Sequence, residues 1–132
     1  MKRWIIGTLV GMALIIGAGA YNSVGAGQTH IDRAVVEFDQ PVKLQGIVLK
    51  GRYLVLHHEG MMARGKPCTY FYTMEGETAG RLVASFHCCA VVRDKVDQFT
   101  ARVSSNKTAF GIAELEEIQF PGSVEGHRIP SL

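Results

Sequence analysis

The sequence lacks most of what would announce an activity. It has no GxSxG elbow, no HExxH pair, no doubled CxxC and no glycine-rich phosphate loop. No catalytic residue is therefore assigned, and an enzyme is the less favoured reading. Charge of one sign is missing too. Fourteen Lys/Arg stand against twelve Asp/Glu, and Lys2 and Arg3 alone account for the net charge of +2. With no basic run interleaved with aromatics, nucleic-acid binding is excluded from the expected partners.

What is present begins at the N-terminus. Lys2 and Arg3 precede an apolar stretch, Trp4 to Ile16, and Ala18-Gly19-Ala20 supplies small residues of the kind signal peptidase cleaves after. Residues 1–20 read as a signal peptide, which implies a periplasmic or secreted protein. The same segment left uncleaved is just long enough to anchor the chain through residues 4–20 with the domain outside, the only way a membrane enters the reading. Residues 21–29 (YNSVGAGQT) are small and polar and read as a flexible leader. Residues 30–132 are left for a single domain, large enough for one core.

That domain reads as all-β. Short runs rich in Val, Ile, Tyr, Phe and Thr fall at 34–38, 42–49, 52–57, 68–74, 81–89, 96–103 and 112–120. Seven strands at this spacing predict a small antiparallel sandwich or barrel. Gly46 is expected at a bulge and Gly51 at a tight turn. Glu114, Glu116 and Glu117 are expected on a solvated strand face, and the tail from Pro121 is expected to be irregular.

One hairpin can be registered. Runs 68–74 and 81–89 flank the polar turn Glu75–Gly80. Pairing about its centre gives position numbers summing to about 155 or 156, and the even sum sets Cys68 opposite Cys88. It also gathers Tyr70, Tyr72, Leu82, Ala84 and Phe86 with those cysteines on one apolar face. Three cysteines in an exported chain favour one disulfide and one spare thiol. Cys68–Cys88 is the expected pair, with Cys68–Cys89 as the one-residue slip. Closing such a loop contributes roughly 3 kcal/mol in the chain-entropy model.

The remaining soft ligands suggest metal chemistry. His57 and His58 end a run, Met61 and Met62 follow, and His87 and Cys89 lie together on a later run. Imidazole, thiolate and thioether are the donors copper prefers, and the first two also suit zinc. The blander reading leaves these histidines as half-exposed strand ends and the methionines as a plug over the core. A thiol-dependent or hydrolytic centre at Cys89 and His87 is a third reading, without a visible orienting carboxylate.

The segment VKLQGIVLKGRYLVLHHE (42–59) resembles the exported oligonucleotide/oligosaccharide-binding (OB) barrels, an architecture shared by the haem chaperone of cytochrome c maturation. That chaperone's histidine with a tyrosine a few residues on is not matched, since His127 is followed by Arg128, Ile129 and Pro130. GRYLVLHHEGMMARGKPCTY (51–70) and RLVASFHC (81–88) resemble small exported bacterial proteins of unassigned activity. The sequence thus predicts a non-enzymatic envelope module that binds another envelope protein or a small ligand, through a strand edge or the loop at 61–66. The alternative is an extracytoplasmic copper or zinc protein.

Overall fold

A single long hairpin organises the molecule. The computed structural model describes residues 4–5, 30–104 and 111–132, so the expected signal peptide and leader lie almost wholly outside the described residues. The hairpin pairs β2 (Ile31–Leu44) with β3 (Ile47–His58) through the turn Gln45-Gly46. Both turn residues have positive φ (46° and 84°), the backbone that matches the right-handed twist of a two-residue hairpin. Gly46 is therefore the tight turn. Gly51 lies inside β3 opposite Phe38, where the register breaks between Phe38 and Val42. The expected roles of the two glycines are exchanged. Pro41 sits in that break, where the ladder asks it for no N–H.

From β3 the sheet continues through β4 (Thr69–Glu75) and β5 (Thr78–Phe86), and from β2 through β8 (Ala113–Gln119) to β7 (Thr100–Val103). A two-residue strand, β1 (Trp4–Ile5), pairs with β7. The result is an all-β, curled half-barrel, as the strand spacing predicted. It is a mixed sheet, because β8 meets β2 in parallel at Val42–Ala113 and Lys43–Glu114. β8 also branches: its last residues pair antiparallel with β9 (Glu125–Arg128), which in turn pairs with β6 (Cys89–Val92). The tail expected to be irregular thus contributes a strand.

The core fills the concave side. Val36, Phe38, Val42, Leu44, Leu49, Val55, Phe71, Phe86, Phe99, Ile118 and Phe120 are all buried there. Along β2 the buried residues alternate, as the period of two requires; on β3 Tyr53, Val55 and His57 share one buried face, and Leu54 between them is buried as well.

The β4–β5 hairpin departs from the expected face. Its turn is the two residues Gly76-Glu77, with Gly76 at φ 62°, and Thr69 pairs with Phe86, Tyr70 with Ser85 and Phe71 with Ala84. This is the odd-sum register, and two irregularities shift it further toward the turn. Thr69 and Phe71 therefore face the core, while Tyr70 and Tyr72 are half-buried and Leu82 is exposed. A one-residue change of register moves every side chain of a strand to the other face.

β8 holds a second surprise. Glu114 and Glu116 are exposed as expected, but Glu117 is buried. Arg93 donates to it through Nε (2.9 Å) and Nη2 (2.6 Å), and Arg102 donates from the neighbouring strand. Burial pushes the Glu117 carboxyl upward, but the Arg93 hydrogen bond and the charges of both arginines outweigh it and hold the pKa below the usual value. Gln119 extends the network, accepting from Arg102 and donating to the Asp94 and Ser123 carbonyls. This network fastens the start of β9.

Candidate metal centre

Three side chains from separate parts of the chain converge at one end of the half-barrel. His57 is the last core-facing residue of β3, directly across from Asp32 of β2. Cys88 lies in the short link that carries the chain from β5 to β6. His127 stands on β9, opposite Ala90 of β6 and Ile118 of β8. Their donor atoms all lie within 4.8 Å of one another. His57 is 5 % exposed, Cys88 4 % and His127 2 %.

The surroundings are apolar on one side and acidic on the other. The His57 and His127 rings lie face to face, centroids 3.9 Å apart at 32°, and Phe120 packs against both. On the open side a cavity of about 390 Å³ is walled by His30, Asp32, Glu59, Ser123 and Glu125 together with His57 and His127. Asp32 Oδ2 stands 3.7 Å from His57 Nδ1, and Glu125 Oε1 3.6 Å from His127 Nδ1. These carboxylates give the mouth a negative potential that draws cations toward the rings.

Protonation fits ligation by the rings. Burial lowers the His57 pKa, against the opposing pull of Asp32, Glu125 and Glu59. Burial, reinforced by the proximity of His57, takes His127 down to about 4. Both imidazoles are thus neutral at pH 7, each with a lone pair to give. The Cys88 thiol is pushed up to about 12, first by burial and then by its contact with Cys68. A cation at this point would have to displace that proton, as metal binding to thiols does. His57 Nδ1 is buried and makes no hydrogen bond among the described residues. A buried polar atom without a partner is costly, and a bound cation would satisfy it.

Cys88 Sγ and His127 Nδ1 are 3.6 Å apart, a thiol–imidazole hydrogen-bond distance that is also about the S···N edge a tetrahedral ion would span.

Of the six ligands expected from sequence, only His57 belongs to this group. His58 points to the other face of β3, its ring edge-on to Tyr70. Met61 is half-buried at the start of a single 3-10 turn, Met62–Arg64, and Met62 is exposed. His87 and Cys89 flank Cys88 and are exposed, because alternation along the chain turns them away from it. Cys88 and His127, the two ligands not proposed from sequence, had been read as a disulfide partner and a residue of an irregular tail. The signal available for His127 was the alternation of Glu125-Gly126-His127-Arg128, too short to register as a strand.

The expected pair, Cys68 and Cys88, lies side by side with sulfurs 2.6 Å apart, and the structure shows no disulfide between them. Comparison with protein-family models, curated proteins and solved structures found no match.

Proposed function

We propose that this protein is a zinc-binding module whose ion is held by His57, Cys88 and His127. The observation that carries the reading is the convergence of three buried donors, from β3, the β5–β6 link and β9, within 4.8 Å. Two imidazoles and one thiolate are a zinc donor set with a fourth position to spare. That position opens on the acidic cavity, which gives the ion a route and a water or a ligand a place. Zinc is preferred to copper because copper(II) would oxidise a pair of thiols as close as Cys68 and Cys88. The N-terminal segment, Lys2 to Ala20, supports a place outside the cytoplasm.

The test is metal content and affinity. Reduced, metal-free protein titrated with zinc in a competitive chromophoric assay should take up one equivalent and release about one proton per site at pH 7. His127→Gln and Cys88→Ser should each weaken binding by at least tenfold. His87→Ala and Cys89→Ser should leave it unchanged. Equal affinity in all four variants would sink the reading.

The expected strand-edge docking has a narrower footing. β5 ends the hydrogen-bonded path of the sheet, and Leu82 on it is exposed. Such an edge suits addition of a partner's strand.

A further inference from the structure

Cys88 Sγ has two neighbours that compete for it. On one side is His127 Nδ1, at 3.6 Å, within the donor group. On the other is Cys68 Sγ, at 2.6 Å, which is not one of the three clustered donors. Cys68 is held in position behind Cys88. Its N–H donates to the Phe86 carbonyl, its sulfur lies 3.4 Å from Thr69 Oγ1, and that sulfur accepts the Cys88 backbone N–H at 3.2 Å. The second thiol is therefore kept beside the ligand sulfur on the side away from the histidines.

We propose that Cys68 and Cys88 form a redox-active dithiol that excludes zinc when oxidised, so that the thiol–disulfide state of this pair sets the occupancy of the His57–Cys88–His127 site. This rests on the zinc reading and adds its regulation. A sulfur can give its thiolate electron pair to zinc or form a bond to a second sulfur; Cys88 cannot hold the metal as a thiolate while it is half of a disulfide.

The co-substrate is a low-molecular-weight disulfide, RSSR. Cys88, the less deeply buried of the two thiols, gives up its proton and attacks one sulfur of RSSR, forming a mixed disulfide and releasing the first RSH; burial of the thiol makes this the slow step. The Cys68 sulfur then attacks Cys88 Sγ, the bond to the remaining SR breaks, and a second RSH leaves. The protein loses two protons and two electrons, and RSSR gains them. Reduction by a dithiol runs the same steps backward and restores the ligand. Because the coupling is thermodynamic it is reciprocal: oxidation expels zinc, and zinc protects the dithiol to the same extent. Cys89 is exposed, and the strand alternation that turns it away from Cys88 keeps it out of the exchange.

The experiment uses the full chain, with Cys89→Ser as background to prevent intermolecular disulfides. The protein is equilibrated with oxidised or reduced glutathione, and zinc affinity and intact mass are read on the same samples. Reduced protein should bind one zinc. Oxidised protein should be lighter by about 2 Da, the mass of two hydrogens, and bind zinc at least 100-fold more weakly. Zinc-saturated protein should form the disulfide at least tenfold more slowly than metal-free protein, a comparison that needs no variant. Cys68→Ser should bind zinc when reduced, and in oxidised glutathione it should stop at the mixed disulfide, gaining one glutathionyl group in mass instead of losing two hydrogens. If oxidised, lighter protein binds zinc as tightly as reduced protein, the coupling is overturned and the zinc site stands. If reduced protein takes up no zinc while the disulfide still forms, the site itself fails and the coupling with it.

Discussion

His127 combines a titratable ring with almost complete burial, and this gives the metal-free protein a pH signature. An imidazole whose pKa falls from 6.5 to about 4 on folding resists protonation in the folded state. Between those values the unfolded chain binds more protons, so stability rises with pH through that window and is lost as pH falls through it. His57 is shifted in the same direction and adds to the effect. The His127 contribution is at most about 3 kcal/mol at 1.36 kcal/mol per pKa unit. In a chelating buffer the urea midpoint should therefore fall between pH 6.5 and 4.5, and His127→Phe, which keeps a ring against Phe120, should fall appreciably less. Parallel losses in the two proteins would show that His127 is not the group responsible. Glu117 contributes with the same sign at lower pH, since its carboxyl is held low in the fold and its ion pairs are lost on protonation.

Among the elements, β9 matters most to the site. It is four residues long, and it carries His127 only because β6 and β8 flank it. Its second residue, Gly126, packs against the buried ion network: a Cβ there would lie 2.6 Å from Glu117 Oε2 and 3.0 Å from Arg93 Cγ. Gly126→Ala should destabilise the fold by about 1–3 kcal/mol, the range for disturbing a buried polar network. Because His127 is the next residue, it should also weaken zinc binding severalfold. A destabilised Gly126→Ala protein with unaltered zinc affinity would show that β9 does not position the ligand.

The same scale explains how much could be read beforehand. Long runs with β-branched and aromatic residues revealed β2, β3, β4, β5 and β8, because burial of one face writes itself into alternate positions. The β4–β5 register was misjudged because Tyr70 and Tyr72 are as apolar in composition as Thr69 and Phe71. Only the two-residue turn at Gly76-Glu77 decides between them. Glu117 was assigned to solvent because its partners, Arg93 and Arg102, lie on other elements and no local pattern announces them. The metal group was half legible for a similar reason. His57 carries its own strand signal, whereas Cys88 and His127 become neighbours only through the pairing of β6 with β9.

For the whole molecule, an ion held at the proposed site would tie together elements with little else in common. His57 belongs to the central hairpin, His127 to the β6–β9 pair, and Cys88 to the link between the two. An ion that binds only the assembled state adds its binding free energy to the stability of the fold, about 2.7 kcal/mol at a free concentration 100 times the dissociation constant. For a domain of this size that corresponds to a rise in Tm of about 10–20 °C. Differential scanning calorimetry of reduced protein should show a rise of that size with zinc, and Cys88→Ser should show little of it. An unchanged melting temperature in the unmutated protein would mean that the ion does not bridge these elements.

The branching of β8 gives the site its cohesion. Its parallel contact with β2 and its antiparallel contact with β9 belong to one strand, so the strand that carries His127 reaches the central hairpin that carries His57 through β8. An ion held at both would be a latch on a closed door, not a hinge: it would lengthen the lifetime of the finished molecule by slowing its opening.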